Sequence, residues 1–104
     1  MSRVFDLTCE LTAQPSITPD DAGCQRLLAE RLLPLGFSVE WFLCGDVSNV
    51  LFTHGRGSPS LWFLGHTDVV PTGPEELWTF LPFHPGEKNG QLYGRGVADM
   101  KGAV

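Results

Sequence analysis

Clustered basic residues are the first thing this sequence is short of. Seven Lys and Arg stand against twelve Asp and Glu in 104 residues, a net charge of −5, and the cations never run together. Phosphate contacts need grouped Lys and Arg, so nucleic acid is not expected as a partner. No apolar run is long enough to cross a bilayer, so a membrane is not expected either. The N-terminus, Met1-Ser2-Arg3-Val4-Phe5-Asp6, has an early acid and lacks the apolar stretch of a secretory signal. Cysteine is scarce: Cys9, Cys24 and Cys44 are odd in number, far apart, and spaced neither as a zinc ribbon nor as a redox pair. They read as reduced thiols of a cytoplasmic protein. There is no internal repeat, no low-complexity tract and no Walker pattern, and Gly94-Arg95-Gly96 is too short for a phosphate cradle. What remains is ordinary globular composition, 42% hydrophobic and 18% charged, with length for one modest core.

The pattern along the chain predicts an α/β arrangement. Val4, Leu7 and Leu11 share one face at helical spacing, so residues 4–13 read as a helix that Pro15 ends. In "SITPDDAG", Thr18 suits an N-cap, Pro19 the first helical position, and Asp20 and Asp21 the positive end of the dipole. A second helix is predicted from there to about Leu33, with Leu27, Leu28, Leu32 and Leu35 as its apolar stripe and Pro34-Gly36 closing it. Residues 37–44 and 48–54 are rich in β-formers and read as strands, and "GRGSPS" as a turn. Residues 60–68 carry the near-continuous apolar run of a strand buried on both faces. From Val70 to Gly90 the chain holds four prolines and three glycines. That predicts a long loop pinned by Trp78, Phe80 and Phe83. "QLYGRG" reads as a short strand and "ADMKGAV" as the beginning of a helix.

Chemistry gathers at two places. His66 and Asp68 are two residues apart, so on extended backbone they face the same side. The carboxylate can then hold one imidazole nitrogen while the other binds a metal, and that partner fixes the tautomer. Gly65 lets the backbone bend close by, and a strand's carboxyl end is where α/β sheets place sites. The plainer alternative is a surface histidine and a capping aspartate, and so short a pattern taken alone favours it. Asp99, in "GRGVADMKG", is either a helix N-cap or a carboxylate able to bridge two cations about 3.5–4 Å apart. His54 and His84 have no carboxylate at useful spacing and read as loop or strand-end residues. Arg95 and Lys101 read as solvated charges.

Taken together and in order, "PSITPDDAGCQRLLAERLLPLGF", "GHTDVVP", Trp78, "PFHP" and "GQLYGRGVADMKG" resemble the M20 metallopeptidase family of dinuclear zinc amidohydrolases. The resemblance covers nearly the whole chain. "HTDVVP" and "GRGVADMKG" are shared across the family, which includes acetylornithine deacetylases and aminoacylases, and "TPDDAGCQ" tilts toward its desuccinylase branch. The resemblance implies a zinc-peptidase-like catalytic domain, with helices packed on a mixed sheet, of which residues 1–104 would be the N-terminal portion. It implies two Zn²⁺, with Co²⁺ as an alternative, bound by His66 and bridged by Asp99. Asp68 would be the active-site acid that orients His66, and the Asp99-Met100 peptide would be cis. The implied reaction is hydrolysis of N-succinyl-L,L-2,6-diaminopimelate to succinate and L,L-diaminopimelate, by a cytoplasmic homodimer acting on a small molecule. The family's general base, its remaining ligands and its lid domain lie beyond "DMKG". The sequence stops just inside its last helix, so these residues are expected to be a truncated, inactive part of the enzyme. A sibling deacylase and a non-catalytic remnant are the alternatives.

Overall fold

The computed structural model describes residues 2–104. Ser2 caps the first helix, α1 (Arg3–Thr12), its hydroxyl accepting from the Phe5 N–H at 3.1 Å. Pro15 lies just past the helix end, where it removes a donor. α1 turns Leu7 and Leu11 toward α2 (Cys24–Leu32), and Leu11, Cys24 and Leu28 form the core with Leu7, Leu27 and Phe52 at its margin. Glu10 and Arg31 close the two helices with an exposed ion pair. A 3-10 turn, Leu33–Leu35, follows α2 and ends at Gly36. Leu35 is exposed, so the predicted apolar stripe stops one turn short.

α2 starts later than its capping pattern suggests. Thr18 is not its N-cap: the cap position is Gly23, at φ 93°. The residues around Thr18 are committed elsewhere. Ile17 forms a parallel bridge to Val69, with Thr18 N donating to Val69 O (3.0 Å) and Val69 N to Ser16 O (2.8 Å). The Thr18-Pro19 peptide is cis. Asp21 does serve the helix, accepting from the Gln25 N–H at 3.0 Å.

β1 (Ser38–Cys44) and β2 (Val47–Thr53) pair antiparallel from Ser38↔Thr53 to Cys44↔Val47. Their two-residue turn places Gly45 at φ 65°, the positive dihedral that twisted hairpins demand. Gln25 ties α2 to this hairpin: its amide donates to Ser48 O (2.9 Å) and accepts from the Ser48 hydroxyl (2.8 Å). β3 (Gly86–Lys88) and β4 (Gln91–Tyr93) make a second small hairpin, with Asn89 and Gly90 both at positive φ. The proline-rich stretch before it holds only a 3-10 turn, Glu75–Leu77. Its aromatic anchors hold as expected: Trp78 Nε1 donates to Thr72 O (2.9 Å), and Phe80 stacks on Tyr93 with centroids 5.3 Å apart.

The sheet departs from expectation. Among the described residues there are two separate two-stranded antiparallel sheets and no mixed sheet. The 60–68 stretch is extended chain rather than a paired strand. Leu61, Trp62, Phe63 and Leu64 are 82, 72, 90 and 97% exposed instead of buried on both faces. A doubly buried strand needs a neighbour along each edge and a layer over each face. Among the described residues no strand lies alongside the apolar run 60–65; only the end of the stretch, 66–69, is held, by Met100, Ser16, Asp21 and the Ile17–Val69 bridge.

Candidate functional site

The sequence around the candidate site folds as two short segments facing each other. One is 65–69, which leaves the unpaired apolar run. Gly65 packs closely there: a Cβ would stand 3.1 Å from the terminal methyl of Met100, which would have to shift by a few tenths of an ångström. Two polar clamps hold the segment from the N-terminal side. The Ser16 hydroxyl donates to Thr67 O at 2.7 Å, and the Thr67 hydroxyl donates to Asp21 Oδ1 at 2.6 Å. The other segment is the irregular helical turn Val97–Lys101, entered through Gly96 at φ 90°. Asp99 and Met100 have non-helical dihedrals within it, and the peptide joining them is cis. Asp99 is therefore inside a broken turn and is no N-cap.

His66 sits between the two acids. Its Nδ1 is 3.3 Å from Asp68 Oδ1 and 3.0 Å from the Asp68 carbonyl oxygen, while Nε2 is 3.1 Å from Asp99 Oδ1. The ring thus presents one nitrogen to its near neighbour in sequence and the other to a carboxylate 33 residues later. Asp99 is largely exposed, and Asp68 and His66 are partly so. With Thr18, Val69 and Arg95 they line a cleft of about 240 Å³. A larger aromatic groove of about 440 Å³, lined by Leu77, Trp78, Phe80 and Tyr93, adjoins it and shares Gly94 and Ala98.

Both ring nitrogens face acceptors, so either can donate; a cation between Nε2 and Asp99 would require the proton to sit on Nδ1, beside the two Asp68 oxygens. Two ligands on one tetrahedral zinc, at bonds of about 2.0 Å, stand roughly 3.3 Å apart. The 3.1 Å between Nε2 and Asp99 Oδ1 fits such a pair. Among the described residues no three His, Cys, Asp or Glu side chains converge to hold an ion. His66 Nε2 and Asp99 are two groups that could ligate an ion, short of a closed shell, with Asp68 at the other ring nitrogen.

Two other readings of charged residues are corrected. Lys101 is not solvated: it is 2% exposed, and its ammonium donates to Gln14 O at 2.9 Å, with burial pushing its pKa down. Arg95 lies over the Trp78 ring at 4.8 Å, a cation–π contact. His54 packs against Phe37 and His84 sits in a turn, so neither joins the site. Thr18, at the cleft wall, went unrecognised. Its partner there is 50 residues away, and no local pattern in one sequence signals such a contact.

Comparison with known proteins agrees with these motifs. Residues 62–104 match the profile of peptidase family M20/M25/M40, a span that includes His66, Asp68 and Asp99. Over all 104 residues the chain is 64% identical to a succinyl-diaminopimelate desuccinylase of Stenotrophomonas maltophilia (strain K279a). It is 59% identical to one of Xylella fastidiosa (strain M12) and 60% to one of Xanthomonas oryzae pv. oryzae (strain PXO99A). In each case the whole chain is covered, and it spans 28% of the relative's length. The chain is thus similar to the M20/M25/M40 family profile over residues 62–104, and over its whole length to the share of succinyl-diaminopimelate desuccinylases that it spans.

Proposed function

We propose that residues 1–104 form the N-terminal portion of the catalytic domain of a metal-dependent amidohydrolase that cleaves N-succinyl-L,L-2,6-diaminopimelate. The observation that carries this reading is the His66 ring set between Asp68 and Asp99, in a chain 64% identical to such an enzyme's relative segment. His66 Nε2 and Asp99 would hold the divalent cations, Zn²⁺ or Co²⁺, and Asp68 would keep the ring in place. Bound cations would supply Lewis acidity toward the amide carbonyl and would activate water. The chain's own residues orient and enclose: Gly65 and Gly96 allow the two segments to meet, and the adjoining aromatic groove offers an apolar wall to a small molecule. The general base and the rest of the ligand shell would come from the remainder of a protein of the relatives' length, acting in the cytoplasm as a homodimer.

The test is hydrolysis by the full-length protein, with succinyl-diaminopimelate and acetylornithine compared as substrates. The expected outcome is clear preference for the succinyl substrate. Asp99→Asn is expected to lower kcat by on the order of 10²-fold or more, since it weakens a ligand directly. Preference for the acetyl substrate would move the assignment to a sibling deacylase. Full activity in Asp99→Asn would remove the metal site.

A further inference from the structure

We propose that Thr18 is a positioning residue of the cation site, its hydroxyl fixing the Asp68 carboxylate that orients His66. The inference rests on the metal-site reading above and adds to it a residue from a different part of the chain.

The main chain brings Thr18 to the site. The bridge of Ile17 to Val69, made by Thr18 N to Val69 O (3.0 Å) and Val69 N to Ser16 O (2.8 Å), sets 16–18 alongside 67–69. From that place the Thr18 hydroxyl donates to Asp68 Oδ2, with Val69 O at 3.2 Å as its other acceptor. A hydroxyl has one proton to give, and a carboxylate is the stronger acceptor than a peptide oxygen. The second carboxylate oxygen, Oδ1, lies 3.3 Å from His66 Nδ1, beside the Asp68 carbonyl oxygen that is the nitrogen's hydrogen-bond partner at 3.0 Å. The two oxygens of Asp68 are thus divided, one toward Thr18 and one toward the imidazole. A carboxylate held at Oδ2 by Thr18 keeps its other oxygen facing the ring instead of turning out to solvent. The ring it faces then keeps Nε2 aimed at Asp99, 3.1 Å away. Thr18 also lines the same cleft as His66, Asp68 and Asp99.

The design separates orientation from scaffolding. The bridge to Val69 is made by the Thr18 backbone, so removing the hydroxyl leaves it intact. Thr18→Val keeps the shape and deletes the donor; Thr18→Ser keeps the donor. In the full-length protein, Zn²⁺ affinity is read by competition with a chromophoric chelator, and geometry by the visible spectrum of the Co²⁺ form. Thr18→Val is expected to weaken Zn²⁺ binding about 10-fold and alter the Co²⁺ bands, with Thr18→Ser within about 3-fold of the parent. Denaturation midpoints of the two metal-free variants, expected to be alike, control for folding.

Parent-like affinity and spectrum in Thr18→Val would overturn the proposal, as would a Thr18→Ser variant as damaged as Thr18→Val. Asp99→Asn distinguishes the two levels. If it loses Zn²⁺ while Thr18→Val does not, the metal site stands and only the role of Thr18 falls. If the parent binds no Zn²⁺, the metal site itself fails and the role of Thr18 with it.

Discussion

Three thiols sit in three environments, and their reactivity should rank accordingly. Cys24 is fully buried, and burial pushes its thiol pKa up; its sulfur faces Leu11 O at 3.8 Å. Cys9 is half-buried and also raised, by desolvation first and by nearby Asp6 second. Cys44 is exposed on β1. Thiolate and access both govern attack on a disulfide reagent. Labelling of the folded protein is therefore expected to reach Cys44 first, Cys9 next and Cys24 only when the chain opens. Cys24 reacting as fast as Cys44 would show that the α1–α2 core is not closed. The same burial fixes a sign for alkaline pH. Above the ordinary thiol pKa an unfolded Cys24 ionises while the folded one stays neutral, so stability falls as pH climbs through that window. At this scale the site was legible where its pieces were local. His66-x-Asp68 is two residues long, and Asp99 lies in a glycine-flanked turn. Thr18 and Lys101 were misread because their partners are 50 and 87 residues away.

Between elements, one side chain holds the helical layer to the larger hairpin. Gln25 is buried on α2 and exchanges two hydrogen bonds with Ser48 of β2, one to its carbonyl and one from its hydroxyl. Gln25→Ala would leave the Ser48 groups without these partners, at a cost of about 1–3 kcal/mol. Denaturant unfolding should show that loss, and hydrogen exchange should show earlier opening of β2 than of β4. A change within about 0.5 kcal/mol, typical of exposed positions, would mean that the apolar contacts of Leu27 and Phe52 suffice to dock the hairpin. The elements themselves are legible where a local pattern decides them, as in the period of α1 and the β-formers of β1 and β2; the two-residue turn at Gly45 that joins the strands was not singled out. The start of α2 is not legible in this way, because Thr18-Pro19 satisfies a capping pattern while its backbone pairs with Val69. Sequence shows the local preference and is silent on which tertiary contact competes with it.

For the molecule as a whole, the decisive feature is the stretch before the site. Residues 60–65, Ser-Leu-Trp-Phe-Leu-Gly, carry no charge and no proline. Among the described residues none of their backbone groups pairs with another main-chain group. Trp62 and Phe63, 72 and 90% exposed, would bury roughly 150–250 Å² each if covered. Adjacent residues of extended chain face opposite sides, so the exposed apolar area is spread over both faces of the run, with Leu61 beside Phe63 and Trp62 beside Leu64. The composition explains why a doubly buried strand was the reasonable reading, and the open edges explain why it is not one here: burial is a property of neighbours, which this segment's own letters do not contain. An uncharged β-forming run with free edges is also a template for pairing with its like. The 104-residue chain alone is therefore expected to self-associate as its concentration rises, seen as a growing sedimentation coefficient. Phe63→Lys places a charge in the middle of the run, where like charges would face each other across any paired copies. It should shift the chain toward monomer without touching the core of Leu11, Cys24 and Leu28. If the unsubstituted chain stays monomeric at every concentration, the run finds cover within the chain itself and the self-pairing argument fails.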